Sequence, residues 1–250
     1  MKSKKLSRFK DIEHAFFNKL GGKSTGIYKN LNHGLRSIDS KKNIFKNLAI
    51  VERKIKSKKI VLMNQIHGNK FYFIDKNSKL NNNNFEGDAL ITNRPNTPIG
   101  VLTADCAPIL IFDQKNKMVA AVHAGWKGAY KEIIKKVIKF MIKKGSSVSN
   151  ITAVIGPCIA LKNYEVKQKF IKKFIEKDVK NEIFFKKIKN KHYFNLNEYI
   201  VHQLKSLDVR KIEVINKDTF NVKNNFFSAR RSKSRNENDY GRNISIIMIN

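Results

Sequence analysis

Two histidines and one cysteine carry most of the chemistry this sequence can offer. His67 follows the apolar stretch IVLMNQI, Cys106 interrupts VLTADCAPIL, and His123 follows MVAAV. Loops at strand ends are where sites tend to be built. One thiolate and two imidazoles suit zinc, and three protein ligands leave a fourth position for water or substrate. Water bound there would lose its proton near neutral pH. The same atoms support a second chemistry, in which Cys106 is the nucleophile and His123 the base of a cysteine hydrolase or deamidase, with His67 assisting. Spacing does not separate the two, because the three residues lie on separate segments. Taken singly, each has an ordinary reading: His67 in a hairpin turn, Cys106 as a small core residue, His123 as a capping or core histidine. What sets them apart is their recurrence beside small residues such as Gly68, Gly125 and Gly128, which let a ligand approach the backbone closely.

The elements that must position them are legible as hydrophobic patterns. Ile60 to Met63 and Phe71 to Ile74 read as strands flanking QIHGN. Ile99 to Phe112 reads as a strand, a turn near Cys106–Pro108 and a second strand, and Met118 to Val122 as a further strand. Lys127 to Lys144 reads as one helix, with Ile133, Ile134, Val137, Ile138, Met141 and Ile142 on a single stripe and Gly145 as its stop. A helix starting right after His123-Ala-Gly-Trp would favour an anion such as phosphate at its N-terminus. Trp126, the sole tryptophan, reads as a core aromatic over the first helical turn, with a site wall as the alternative. Lys41 to Lys58, Val166 to Val179 and Leu196 to Leu207 read as helices, the last capped by Asn195. Ile151 to Ile155, Lys211 to Ile215 and Ile244 to Ile249 read as strands, and Lys76 to Asn84 as an exposed loop. The sum is an α/β protein of one domain spanning residues 1–250, a mixed-sheet layered sandwich with covering helices.

Composition bounds the partners. The chain has 250 residues and a formal net charge of +31, which invites a nucleic-acid reading. The lysines are spread along the whole chain, however, and no zinc-finger spacing, RNP-like aromatic motif or helix-turn-helix signature is present. A lysine-coated enzyme surface is therefore the expectation, with an RNA-associated basic protein as the non-enzymatic alternative. The N-terminus lacks an apolar h-region, and no apolar run reaches the about 18 residues of a spanning helix, so the sequence reads as soluble and cytoplasmic. Two cysteines in so long a chain do not suggest a disulfide framework.

The motifs resemble those of the laccase-domain family, also called multicopper polyphenol oxidase-like or YfiH-like proteins. The resemblance runs through LGGKSTGIYKNLN (Leu20 to Asn32), NQIHG (Asn64 to Gly68), GDALIT (Gly87 to Thr92), TADCAPILIFD (Thr103 to Asp113), AVHAGWKGAY (Ala121 to Tyr130), IGPCI (Ile155 to Ile159), FFSARR (Phe226 to Arg231) and DYGR (Asp239 to Arg242). It implies an α/β sandwich and zinc held by His67, Cys106 and His123. It further implies a purine nucleoside phosphorylase that converts adenosine, inosine, guanosine or S-methyl-5′-thioadenosine and phosphate to base and ribose 1-phosphate, with adenosine deamination as an attributed second activity. Phosphorolysis needs an anion site. In so lysine-rich a chain the arginines near the C-terminus stand out: Arg230, Arg231 and Arg242 are the phosphate candidates, whereas Arg235 sits in a polar run. Gln65, Asn32 and Asp88 are candidate polar groups of the pocket on motif membership alone. A copper-dependent phenol oxidase is the remaining alternative, at odds with only six histidines and two cysteines. Three departures bear on substrate detail: Asp218-Thr219 where many members carry Cys-Thr, Ala229 where tyrosine is usual, and Lys19-Leu20-Gly21-Gly22 at an RxGG-like start. Cys158 sits where serine is common and is expected to be structural.

Overall fold

A computed structural model describes residues 1–78 and 86–250. In chain order the elements are β1 (Ile12–Phe16), α1 (Lys41–Lys54), β2 (Phe71–Ile74), β3 (Ala89–Thr92), β4 (Ile99–Thr103), β5 (Ala107–Asp113), β6 (Met118–Ala124), α2 (Trp126–Tyr130), α3 (Ile133–Lys143), β7 (Ile151–Ile155), β8 (Glu165–Val166), α4 (Gln168–Lys177), β9 (Phe185–Ile188), β10 (Lys191–Phe194), α5 (Leu196–Lys205), β11 (Lys211–Val214), α6 (Ala229–Ser234) and β12 (Asn243–Ile249). The fold is mixed α/β, as the apolar runs predict. A six-stranded sheet has the order β11-β7-β5-β6-β3-β2, and a three-stranded sheet the order β1-β12-β4. Only the β7–β11 and β2–β3 pairs of the larger sheet are parallel.

Side-chain alternation sorts these strands into layers. Ile109, Ile111, Ala120 and Val122 face α3 and α5 and form one core with Ile134, Val137, Met141 and Ile200. Leu110, Phe112, Val119 and Ala121 face the other way, onto Val101, Ile247 and Ile249 of the smaller sheet. Ile244 and Ile246, on the outer face of β12, pack against Val51 and Ile55 at the end of α1. The layers therefore run helix, sheet, sheet, helix. The five buried aliphatics of α3 stabilise it by on the order of 10 kcal/mol before chain entropy is subtracted. That exceeds anything its Lys/Ile composition contributes through intrinsic propensity.

A third sheet, β8-β10-β9, closes over α4 with a dense aromatic cluster. Phe170 and Phe174 stack at 4.8 Å and pack against Phe185 and Phe194. Trp126 joins this cluster edge-on to Phe170 at 4.9 Å, consistent with the core-aromatic reading.

Two elements differ from their patterns, and one lies partly outside the described residues. The stretch 60–63 is no strand; Val61 makes only an isolated bridge to Ile99, because Pro98 and Gly100 supply its backbone partners and no neighbour extends the ladder. The helix expected over Lys127 to Lys144 is two helices, broken where Glu132 takes a left-handed conformation with φ 61°. Residues 79–84 of the expected 76–84 loop lie outside the described residues.

Candidate functional site

The site forms where the two sheets are stitched together. β4 belongs to the smaller sheet and β5 to the larger, so Ala104–Cys106 is the crossover between them. Asp105 turns the chain there with φ 88°. Cys106 thus stands at the start of β5. Antiparallel pairing sets Ala107 opposite Ala124 and Pro108 opposite His123, which places the end of β6 beside Cys106. The next strand, β3, pairs Ala89 with Val122, bringing Asp88 to the same sheet end. Three strand ends are thereby gathered from distant stretches of sequence.

Asp88 binds the constellation together. Its carboxylate is fully buried and accepts hydrogen bonds from the backbone N–H groups of His67 (2.9 Å) and Gly68 (2.6 Å). The same carboxylate lies 2.8 Å from Nδ1 of His123. This fixes the His67 loop, in which His67 itself has φ 57°, and turns Nε2 of His123 toward the thiol side. The ligand atoms of His67, Cys106 and His123 all lie within 4.8 Å of one another, and the two imidazoles meet edge-on at 4.8 Å. Gly125 completes the cradle. A Cβ there would stand 2.7 Å from Cys106 Sγ and 3.3 Å from the His67 ring.

The electrostatics favour a thiolate. Burial alone would raise the Cys106 thiol, but His123 and His67 outweigh it and bring the group down to about 6. Burial would likewise lower His123, but Cys106 and Asp88 raise it to about 9. A thiolate with two imidazoles is a donor set that suits zinc, and a soft ion such as Cu(I) also accepts it. The residues present fit a single metal ion. Among the described residues this is the one His/Cys/Asp/Glu group with metal-binding geometry.

Two cavities meet at the triad. One, of about 260 Å³, is lined by all three donors and extends to Leu35, Arg36, Asn64, Leu102 and Arg242. The other, of about 240 Å³, shares His67, Ala104, Cys106 and Tyr240 with it and extends to Asp105, Tyr164, Arg230 and Lys233.

The remaining expected residues have separate fates. Asn32 is buried outside both cavities. Its side chain donates to Asp39 and Ser37 and accepts from the backbone N–H groups of Gly34 and Arg242, so it shapes a loop. Gln65 lines the first cavity, but its amide is spent on both backbone groups of Leu102. Asp88 lies beneath the donors and lines neither cavity. Arg231 lines neither cavity, and its guanidinium donates to the carbonyls of Thr219, Phe220 and Phe226. Arg242 lines the first cavity and Arg230 the second. The expected helix N-terminus is that of the five-residue α2, too short to serve as an anion site. Cys158 is buried, donates toward Asn197 at 3.0 Å and is pushed up by burial, an inert structural thiol as expected. Tyr164, Tyr240, Arg36 and Asp105 line the cavities although pattern reading did not single them out. For Tyr240 and Asp105, membership in DYGR and ADC was the available signal.

Residues 13–250 match the family described as multi-copper polyphenol oxidoreductase laccase. The chain belongs to that family. Over 225 residues it is 33% identical to a purine nucleoside phosphorylase of Rickettsia prowazekii, covering 89% of this chain and 90% of the relative. A purine nucleoside phosphorylase of Bacteroides thetaiotaomicron is 29% identical, covering 98% and 94%. Among solved structures, the Bacillus licheniformis hypothetical protein YfiH superposes with a TM-score of 0.88 at 27% identity, over 96% of this chain and 93% of that one. This family member has no helix, among the described residues, long and apolar enough to cross a membrane.

Proposed function

We propose that this protein is a zinc-dependent purine nucleoside phosphorylase, with His67, Cys106 and His123 as metal ligands. The observation that carries this reading is the opening of all three donors onto one cavity of about 260 Å³ beside a second of similar size. Two substrates must meet in phosphorolysis, and the names of the relatives point to the same reaction. Zinc, when bound by His67, Cys106 and His123, would supply Lewis acidity. The chain's own residues do the rest. Asp88 holds His123 in the tautomer whose Nε2 is free to ligate, and Gly125 leaves room for the thiolate. The several copper centres of a phenol oxidase lack ligands among the described residues.

A second reading rests on a specific observation. Cys106, His123 and Asp88 are connected in the order nucleophile, base, orienting carboxylate, with the thiol lowered to about 6. Metal-free protein would then act as a cysteine hydrolase or amidase. One experiment separates the readings: phosphate-dependent turnover of adenosine, inosine, guanosine and S-methyl-5′-thioadenosine by metal-quantified protein, with Cys106→Ala alongside. Base and ribose 1-phosphate formed only with phosphate, and lost together with zinc in the variant, support the phosphorylase. Wild-type protein without stoichiometric zinc and without nucleoside turnover sinks it and favours the thiol hydrolase. Inosine formed from adenosine without phosphate would add the deaminase activity.

A further inference from the structure

The two cavities differ in a way that assigns the two substrates. In phosphorolysis a phosphate oxygen forms a bond to the anomeric carbon while the bond from that carbon to the purine nitrogen breaks. The electron pair leaves with the purine, which takes up the proton that hydrogen phosphate gives up. Displacement of this kind brings nucleophile and leaving group to opposite faces of the sugar. A site with two lobes joined at a waist meets that demand, and the waist here is His67, Cys106 and Tyr240.

Charge distinguishes the lobes. The first contains Arg36 and Arg242 and no carboxylate. Arg36 is exposed, and its guanidinium makes no hydrogen bond or ion pair among the described residues, so its donors are available. Arg242 is held in place by donating to the Tyr240 carbonyl at 2.9 Å and by Asp239 at 3.5 Å, with its guanidinium 4.5 Å from the centre of the Tyr240 ring. The second lobe contains Arg230 and Lys233 but also the Asp105 carboxylate, which would repel a dianion but not a neutral purine. Arg230 is committed much as Arg242 is, donating to the Glu165 carbonyl at 3.0 Å and lying 5.4 Å over the Tyr164 ring, so among the described residues the uncommitted guanidinium is that of Arg36 in the first lobe. What the second lobe adds instead is the Tyr164 ring, beside the Tyr240 ring that both lobes share. Aromatic surface is what a planar base gains most from.

We propose that the lobe bearing Arg36 and Arg242 binds inorganic phosphate, and that the lobe bearing Tyr164 binds the purine base. This assignment rests on the phosphorylase reading. The test is steady-state kinetics with each substrate varied at saturating co-substrate, on the zinc-loaded protein. Arg36→Ala, at an exposed position, is expected to raise KM for phosphate at least about tenfold with little change in KM for the nucleoside, as loss of a charge-assisted contact implies. Tyr164→Leu is expected to do the reverse, and Tyr164→Phe to restore the nucleoside KM. Direct titration with inorganic phosphate should show the same weakening for Arg36→Ala. The reverse KM pattern in a protein that performs phosphorolysis overturns the assignment alone. Absence of phosphate-dependent turnover in the wild-type protein overturns the phosphorylase reading and the assignment with it.

Discussion

The carboxylate of Asp88 stands 2.8 Å from Nδ1 of His123 while also accepting from the backbone N–H groups of His67 and Gly68. One buried side chain therefore sets the orientation of one proposed ligand ring and the path of the loop carrying the other histidine. Asp88→Asn keeps the shape but places an amide where a carboxylate met an imidazole and two N–H donors. Zinc affinity should fall about 10–100-fold, the usual cost of losing an outer-shell partner. Titration with a competing chelator measures this directly, and unchanged affinity would remove Asp88 from the positioning role.

Gly125 is a steric prediction of a different kind. Its backbone, at φ −73°, is open to any residue, so strain is no obstacle to substitution. The obstacle is the neighbour, because an added Cβ would sit 2.7 Å from Cys106 Sγ. Gly125→Ala should destabilise the fold by about 1–3 kcal/mol, as overpacking does, and should lose bound zinc. Retention of stoichiometric zinc by a folded variant would show that the cradle tolerates a methyl group.

How much of this site was legible in the sequence depends on what each residue binds. The strands carrying Cys106 and His123 announce themselves as apolar runs interrupted by chemistry-bearing residues. Their convergence with His67 does not, because it depends on sheet order, which periodicity leaves open; donor chemistry beside small residues suggested it and motif resemblance strengthened it. Asn32 and Arg231 look equally functional in sequence. Asn32 is spent on Asp39, Ser37 and two backbone N–H groups and Arg231 on three carbonyls, and polar residues engaged that way cannot be told from pocket residues by sequence pattern. The helix break at Glu132 was hidden because no glycine or proline marks it between Ala129 and Lys144.

Trp126 offers a test of the aromatic cluster against the site. It packs on Phe170 and lines neither cavity. Trp126→Leu should cost about 1–3 kcal/mol of stability while leaving both substrate KM values within about twofold. A selective rise in nucleoside KM would instead make the indole part of the binding site.

Acid stability should depend on His33. The ring is fully buried, and burial lowers the group from 6.5 to about 4, outweighing backbone hydrogen bonds with Arg242 and Asn47. Below pH 6.5 the unfolded chain takes up a proton that the folded chain resists until about pH 4. Stability attributable to His33 is thus complete above pH 6.5 and declines as pH falls toward 4, by on the order of 3 kcal/mol. His33→Leu removes the titration. Denaturant midpoints measured from pH 7 to pH 4 should fall less steeply in the variant, and parallel curves would refute the assignment.

Asp105 shows how the crossover holds Cys106. Its carboxylate accepts from the Thr219 hydroxyl at 2.6 Å and from the Arg230 backbone N–H at 2.6 Å, while its carbonyl accepts from Ile159 at 3.0 Å. Three segments are thereby tied to the residue that precedes the thiol. The backbone at φ 88° suits Asp and Asn far better than Ala. In Asp105→Asn the side-chain oxygen can keep the Arg230 N–H, and Thr219 can reverse to accept from the new amide. In Asp105→Ala both buried donors lose their partner, at about 1–3 kcal/mol each. The expected order in thermal melts is therefore wild type, then Asn slightly below, then Ala several kcal/mol lower. Phosphorolysis by the Asn variant should survive in proportion to its zinc content, since Cys106 stays in place. An Ala variant as stable as the Asn variant would mean that the three segments are held by their own packing rather than by this carboxylate.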